Sequence, residues 1–275
     1  MGMDKYLSSR AVKMRKDTSA MMDSIYKDLL PYVESTEFPT WLIKKIAALG
    51  INGMQIKGYG SPGLSHLEAG AMCFELAKRD VSCFTFTSVH NHIGMAVING
   101  LGDEEQKERM LTKGVAFEKV FCFGLTEPTN GSDASALKTT AHKVEGGWIL
   151  NGEKRWIGNA TFGDVIVWAR NEADNGRVQA FVVEKGSSGM ICKKMEGKLG
   201  LRITQNADIT LKDCFVPDKN KLTHAKDFGT GTNKILESSR LMVAWAAAGC
   251  AVGAYEAAIK YTMQRVQFGK PIAQF

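Results

Sequence analysis

The densest group of potentially reactive side chains lies in the thirteen residues 121–133, Phe-Cys-Phe-Gly-Leu-Thr-Glu-Pro-Thr-Asn-Gly-Ser-Asp. A short apolar strand is predicted over 120–125. Pro128 fixes its own backbone dihedral, and Gly131 permits conformations that side chains forbid, so both residues interrupt the strand. The turn that follows offers backbone N–H groups together with short hydroxyl, amide and carboxylate side chains: Thr126, Asn130, Ser132 and Asp133.

Two interpretations of this turn remain open from the residues alone. Short polar side chains beside free N–H groups can hold a polar, planar or anionic ligand closely. The same side chains also bond to their own backbone in ordinary turns, which would leave nothing for a ligand.

Two further blocks stand downstream in a fixed order: Trp156-Ile157-Gly158-Asn159, and then Arg265-Val266-Gln267-Phe268-Gly269-Lys270-Pro271. With Thr126-Glu127-Pro128 and Gly131-Ser132-Asp133, these blocks resemble the acyl-CoA dehydrogenase and acyl-CoA oxidase superfamily. The resemblance extends from about 37 to 275. In detail the chain looks most like the glutaryl-CoA dehydrogenase branch and the related short-chain peroxisomal acyl-CoA oxidases.

The resemblance implies an FAD-dependent oxidoreductase that converts a short or medium acyl-CoA to the trans-2-enoyl-CoA, as in fatty acid β-oxidation. It places the flavin along the first turn, with Leu125 and Thr126 donating hydrogen bonds. Ser132 would face both the cofactor and the pantetheine arm of CoA. The implied cofactor-binding residues of this region are Phe123, Leu125, Thr126, Ser132, Trp156, Ile157 and Gly158. Without the other blocks, Trp156 would be a plain aromatic residue of a strand.

The resemblance also assigns roles on the last helix and beyond it. Arg240 would contact the CoA moiety, with Glu237 one turn before it; the alternative is a surface pair at i, i+3. Arg265, Gln267 and Phe268 would reach the FAD of a neighbouring subunit, since a forked guanidinium suits a pyrophosphate. The expected assembly is therefore a homodimer or homotetramer.

At two positions the residue differs from the one that the dehydrogenases of this family usually have. Gly158 stands where they usually have Thr or Ser, and short-chain oxidases can have Gly there. The electron acceptor is thus either an electron-transfer flavoprotein or O₂. Phe84 stands where glutaryl-CoA dehydrogenases have an arginine for the far carboxylate, which makes a dicarboxylyl-CoA a poor candidate substrate.

No catalytic base is predicted within the chain. Some family members have a Glu at the position of Ser239, whose hydroxyl is no carboxylate base, and Glu237 is offset from that position. The base is expected beyond Phe275, in a C-terminal region that would make the chain a fragment. A non-catalytic subunit without a base is the alternative from another functional class.

The predicted fold is an α+β multidomain protein. An all-α domain (1–117) would have helices at 4–30, ended by Pro31, and from Pro39 to Gly50. Two long helices at about 64–79 and 82–101 would follow, and then a helix capped by Asp103 that runs through Leu111 and closes at Gly114.

A small β-barrel or sandwich (118–222) is predicted next. Strands at 138–145 and 148–155 flank Gly146-Gly147, which is a strong hairpin signal. A helix over 232–267 would begin a C-terminal helical bundle (223–275). That helix needs partners, because the stability of long helices comes from packing.

Composition limits the remaining possibilities. The net charge of +6 is spread over the chain without a basic stripe, so nucleic-acid binding is not expected. The six cysteines form no C-x-x-C pair and are expected to be buried, reduced thiols, and neither they nor the five histidines predict a metal site. No apolar run reaches the roughly 20 residues of a membrane span. The expected compartment is reducing: the mitochondrial matrix, the peroxisome or the bacterial cytoplasm.

Overall fold

The computed structural model describes residues 2–275. Within residues 2–120 the chain forms the helices α1 (Ser9–Ser35), α2 (Trp41–Ala48), α3 (His66–Arg79), α4 (Val81–Ser88), α5 (Ala96–Leu101) and α6 (Glu104–Val115). A π-helical stretch, Val89–Met95, joins α4 to α5. The sequence predicts one regular helix over 82–101, and the structure corrects this with the π-helical stretch in its centre.

Helix starts follow local side-chain chemistry. Ser8 caps α1, and the Asp103 carboxylate accepts the Gln106 N–H at 2.9 Å, as part of a full capping box on α6. The cap that the sequence predicts at Asp103 is therefore confirmed.

Two predicted helix ends are wrong. Pro31 lies inside α1, because Tyr32 and Val33 beyond it pack against the helical core and outweigh the roughly 3 kcal/mol that an internal proline costs. Gly114 lies inside α6, where it packs against Met95 and Phe121. Both helices continue because buried contacts override a local stop signal.

The central strands form one curled sheet. They are β1 (Phe121–Gly124), β2 (Thr140–Val144), β3 (Gly147–Ile157), β4 (Asp164–Asn171), β5 (Arg177–Val183), β6 (Met190–Lys194) and β7 (Ala207–Pro217). Both β1 and β2 pair parallel with β4, whereas β5 pairs antiparallel with it. The sheet continues from β2 through β3 and β7 to β6. The predicted α+β class and the hairpin at Gly146-Gly147 are confirmed.

The sheet packs on the helices through one of its faces. Phe123, Ile166 and Trp168 share a buried cluster with Ile98 and Leu101 of the helical segment. The opposite face has its own core around Trp148 and Phe181. The predicted domain limits 1–117, 118–222 and 223–275 stay predictions, since this shared cluster joins helices and sheet.

Helix α7 (Lys234–Gln264) follows a π-helical turn, Gly229–Asn233, and packs lengthwise on α3. By length and composition the stretch Gly229–Gln264 is apolar enough to cross a membrane, with a mean hydropathy of 1.4 in its most apolar window. A mostly buried core helix of a water-soluble protein meets the same criterion, whereas 22% of this window is buried, and a single such helix is weak evidence for a membrane span. The chain ends in a small hairpin of β8 (Val266–Gln267) and β9 (Lys270–Pro271).

The cysteine prediction is partly wrong. All six thiols are free, and Cys73, Cys83, Cys122 and Cys214 are buried, but Cys192 is partly exposed and Cys250 is exposed on α7. Burial raises the pKa of the Cys214 thiol to about 11. Among residues 2–275, no group of three or more potential ligands is placed to hold a metal ion.

We expect Gly253→Ala to destabilise the protein by at least about 1–3 kcal/mol, because the new methyl group would overlap the Lys78 carbonyl oxygen on α3. Gly100→Ala is the matched control. Its methyl group would meet Ile235 Cδ1 at an ordinary 3.5 Å, so the better helix propensity should stabilise by up to about 1 kcal/mol. Urea unfolding midpoints measure both changes, and a loss of equal size in the two variants would contradict the packing argument.

Candidate functional site

The turn after β1 is held to β3 by a buried ion pair. Lys154 Nζ donates to Glu127 Oε1 at 2.9 Å and to the Leu125 carbonyl oxygen at 3.2 Å. The side chains of Lys154 and Glu127 are 0% and 4% exposed. In addition, the Arg155 N–H donates to the Thr126 carbonyl oxygen at 2.8 Å. The polar turn and the segment that leads to Trp156 are therefore direct neighbours.

The Glu127 carboxylate is fully satisfied. It accepts the Lys138 N–H at 2.6 Å and both the N–H and the hydroxyl of Thr139, at 2.9 and 2.6 Å. Burial opposes ionisation, but the bond from Thr139 and the charge of Lys154 outweigh it and lower the pKa of Glu127. Burial lowers the pKa of Lys154 to about 8 although Glu127 counteracts the shift. These bonds hold the turn in place through the Glu127 side chain, and none of them uses the N–H or the hydroxyl of Thr126.

Thr126 is partly exposed, whereas Glu127, between it and the exposed Pro128, is buried. The N–H and hydroxyl groups of Thr126 have no hydrogen-bond partner within residues 2–275. The Lys154 ammonium bonds to the carbonyl oxygen of the same peptide unit that contains the Thr126 N–H. Because hydrogen-bonded amides polarise one another, this contact strengthens the N–H as a donor.

Trp156 is aimed outward by a β-bulge. Lys154 pairs with Ile209 and Ile157 pairs with Ala207, so β3 has one residue more than β7 across this step. Trp156 absorbs the extra residue with φ 65°, a left-handed conformation that is unusual for a bulky side chain. Its indole is 55% exposed, and the Arg155 guanidinium lies 5.4 Å from the ring centroid.

The residues after Trp156 connect the sheet to the helices. Ile157 and Gly158 are buried, and a side chain at Gly158 would meet Val89 of the π-helical stretch at 3.2 Å. Asn159 Nδ2 donates to the Phe86 carbonyl oxygen at 3.1 Å. The exposed tryptophan therefore stands on a backbone that both domains hold in place.

The predicted cofactor residues fall into two groups. Thr126, Ser132 and Trp156 present polar or aromatic surface to solvent, whereas Phe123, Leu125, Ile157 and Gly158 are buried beneath. A flat, polar ring such as isoalloxazine could pack on the Trp156 indole and accept hydrogen bonds from the N–H and hydroxyl of Thr126 and from the Ser132 hydroxyl. The assigned roles stay predictions.

The remaining predicted site residues lie on α7 and in the terminal hairpin. Glu237 and Arg240 are exposed on α7 and form no ion pair with each other within residues 2–275. The alternative prediction, a surface ion pair between these two residues, is therefore not supported. Arg265, Gln267 and Phe268 are exposed in the terminal hairpin, with Phe268 at 92% exposure. At about 1.5 Å rise per residue, α7 separates this hairpin from Arg240 by roughly 35–40 Å.

The sequence analysis missed Lys154, although a signal was present. Strand alternation puts residue 154 on the same face as Trp148 and Leu150, both of which are buried. A lysine at an inward position needs a buried partner, because an isolated charge away from water is costly. Glu127 belongs to the Thr126-Glu127-Pro128 motif, whereas Lys154 belongs to none of the motifs, so the sequence does not identify the two residues as a pair.

Comparison with known proteins gives consistent matches along the chain. Residues 11–118 match the family described as "Acyl-CoA dehydrogenase, N-terminal domain", residues 122–214 match its middle domain, and residues 230–275 match part of its C-terminal domain. An acyl-CoA dehydrogenase of Bacillus subtilis (strain 168) is 34% identical over 276 residues, which cover 98% of this chain and 72% of that protein.

Two further relatives agree. The mitochondrial short-chain specific acyl-CoA dehydrogenase of Rattus norvegicus is 31% identical over 92% of this chain and 63% of that protein. The crystal structure of a glutaryl-CoA dehydrogenase from Mycobacterium smegmatis in complex with FADH2 has a TM-score of 0.93 at 29% identity, over 100% of this chain and 70% of that chain. This chain thus spans between 63% and 72% of the length of these relatives.

We expect Glu127→Gln and Lys154→Met each to lower the free energy of unfolding by about 3–5 kcal/mol, because each leaves a buried charge without its partner. The double variant should lose less than the sum of the two. Urea unfolding in a double-mutant cycle measures the coupling.

Lys143→Met is the matched control, since Lys143 pairs with Asp218 at 2.7 Å on the surface, where both partners are about half exposed. That variant should lose only about 0–1 kcal/mol. Additive losses at Glu127 and Lys154, or losses no larger than the control's, would refute a coupled buried pair.

Proposed function

Because the chain belongs to the acyl-CoA dehydrogenase family, we propose that it is the flavin-binding part of an enzyme that dehydrogenates a short or medium acyl-CoA to the trans-2-enoyl-CoA. FAD is the proposed cofactor. The observation that supports this most directly is the junction of the Thr126 turn with the Trp156 bulge. An exposed indole stands there beside an N–H and a hydroxyl without partners.

The side chains at this junction have complementary tasks in the proposal. Thr126 donates from its N–H and hydroxyl to the polar edge of the ring, and Trp156 covers one side. Ser132, exposed in the loop, faces the cofactor and the pantetheine arm. The flavin, when bound, accepts the hydride equivalent that leaves the carbon β to the thioester. The protein's part is to orient the partners and to exclude water.

The acyl chain is proposed to be uncharged at its far end. Phe84, at the position of the arginine of glutaryl-CoA dehydrogenases, is 5% exposed within the helical core and offers no charge to a distal carboxylate. Arg240 and Glu237, exposed on α7, are proposed contacts for the CoA moiety.

We propose that the base is a carboxylate outside residues 1–275. Ser239, at the alternative position of the base, donates its hydroxyl to the Leu236 carbonyl oxygen at 3.1 Å and has no charge to accept a proton. A non-catalytic subunit remains the competing proposal on the same observation.

The terminal hairpin supports a homo-oligomeric site. Arg265, Gln267 and Phe268 lie exposed in the hairpin after α7, and the resemblance assigns them to the FAD of a neighbouring subunit. A homodimer or homotetramer is therefore proposed. The proposed compartment is a reducing one: the mitochondrial matrix, the peroxisome or the bacterial cytoplasm.

An acyl-CoA oxidase is the second candidate, and Gly158 is the observation that favours it. This buried glycine brings no hydroxyl toward the ring, whereas the dehydrogenases that the chain resembles usually have Thr or Ser there. Loss of that hydrogen bond would change how the reduced cofactor meets its acceptor, either an electron-transfer flavoprotein or O₂.

We expect Thr126→Val to weaken FAD binding about 10-fold, because it removes a hydroxyl donor worth roughly 1–1.5 kcal/mol. Quenching of flavin fluorescence in a titration with the apoprotein gives the dissociation constant. Thr129→Val, at an exposed position of the same loop, is the control and should bind FAD like the wild type. Failure of the wild type to bind FAD would refute the proposal, and equal weakening by both variants would refute the assigned role of Thr126.

A second measurement, of hydrogen peroxide formed in air, distinguishes a dehydrogenase from an oxidase. If the protein is a dehydrogenase, butyryl-CoA should bleach the flavin of the full-length holoenzyme and release little hydrogen peroxide in air until an electron-transfer flavoprotein is added. Stoichiometric peroxide without that partner would establish the oxidase instead. Gly158→Ser, which tests the missing hydroxyl, should then lower the rate of peroxide formation.

A further inference from the structure

A cavity lies among the helices, and neither of the junction residues Thr126 and Trp156 lines it. It has a volume of about 330 Å³ and is enclosed by the start of α3, the π-helical stretch with α5, and the start of α7. None of the predicted flavin or CoA residues lines it. Small-molecule sites begin at about this size, so the cavity suits a compact ligand and not a CoA ester.

The polar lining of the cavity is basic. Three of the chain's five histidines line it, together with one lysine, and no Asp or Glu is among the lining residues. His66, His224 and Lys234 are exposed at its rim, whereas His92 is 4% exposed at its inner side. Asn99 and Ser238 add an amide and a hydroxyl group.

His92 has an unfilled hydrogen-bonding position. Its Nδ1 lies 3.2 Å from the Ser88 hydroxyl, but its Nε2 is buried and has no partner within residues 2–275. Burial, and then the charge of His66, lower the pKa of His92 to about 4. A buried polar atom without a hydrogen bond is unfavourable, and most such atoms in native proteins have a protein or water partner.

His90, two residues earlier, differs from His92 because both of its ring nitrogens have hydrogen-bond partners. His90 accepts the Phe121 N–H at Nδ1, 3.1 Å away, and bonds to the Gly114 carbonyl oxygen through Nε2 at 3.0 Å. His90 therefore ties the helix to the sheet. His92 is equally buried and lines the cavity, but its Nε2 has no partner within residues 2–275.

We propose that this cavity binds a small organic or inorganic anion through a carboxylate or phosphate group. We assign the Ser88 hydroxyl as the donor to Nδ1, which puts the ring proton on Nε2, and this buried N–H then needs an acceptor. Lys234 and His66 complement the negative charge at the rim. A metal ion is disfavoured, because no group of three or more potential ligands converges within residues 2–275.

The test uses two probes, inorganic phosphate and malonate, titrated into the protein by calorimetry against sodium chloride at equal ionic strength. We expect saturable binding of at least one probe, and the one that binds identifies the group that the site prefers. Lys234→Gln should weaken this binding about 10-fold, which corresponds to roughly 1.4 kcal/mol. Lys260→Gln, at an exposed position farther along the same helix, should leave it unchanged.

A second measurement follows His92 directly without altering its packing. The ring ¹⁵N resonances of His92 should shift on saturation with the probe, whereas those of His142, which lies on the surface 3.1 Å from Glu172, should not. Absence of saturable binding for both probes would overturn the proposal. Equal affinity in the Lys234→Gln and Lys260→Gln variants, or unchanged His92 resonances, would overturn it as well.

Discussion

A lysine and a glutamate buried out of contact with water hold the candidate flavin site together. The pair formed by Lys154 and Glu127 joins the turn after β1 to β3, and Lys138 and Thr139 donate three further hydrogen bonds to the carboxylate. Burying two charges is expensive, and a pair of this kind is weak evidence for net stability. Its value here is geometric, since it fixes where Thr126 stands relative to Trp156.

The bulge at Trp156 depends on the same anchoring. A bulky residue with φ 65° is strained, and such strain persists only where the surroundings determine it fully. Lys154 holds the strand on one side of Trp156, and Asn159 ties it to α4 on the other. An exposed aromatic ring on so well-held a backbone is pre-organised for a ligand, which lowers the entropy cost of binding.

Close backbone contacts shape the helical part in a comparable way. Gly249 and Gly253 bring α7 against the carbonyl groups of α3, while aromatic and aliphatic side chains on its other faces stay exposed, among them Val243, Tyr255 and Ile259. The start of the same helix closes the basic cavity beside His92. One helix thus contributes to the proposed CoA contacts through Glu237 and Arg240 and to a separate polar pocket through Lys234 and Ser238.

Local patterns in the sequence determined the elements and the family. Alternation and Gly146-Gly147 specified the β2–β3 hairpin, Asp103 specified the start of α6, and the ordered Thr-Glu-Pro, Trp-Ile-Gly and Arg-Val-Gln-Phe blocks specified the relationship to acyl-CoA dehydrogenases. These features depend on neighbouring residues, which is why they can be recognised in one dimension. The tertiary structure alone decided the rest: α1 runs through Pro31, β1 pairs parallel with β4, Lys154 meets Glu127, and three histidines from distant segments line one cavity. Each of these depends on contacts between residues far apart in the chain, whose energies outweigh local preferences. Strand alternation indicates that Lys154 is buried, but no local pattern identifies the partner that it meets.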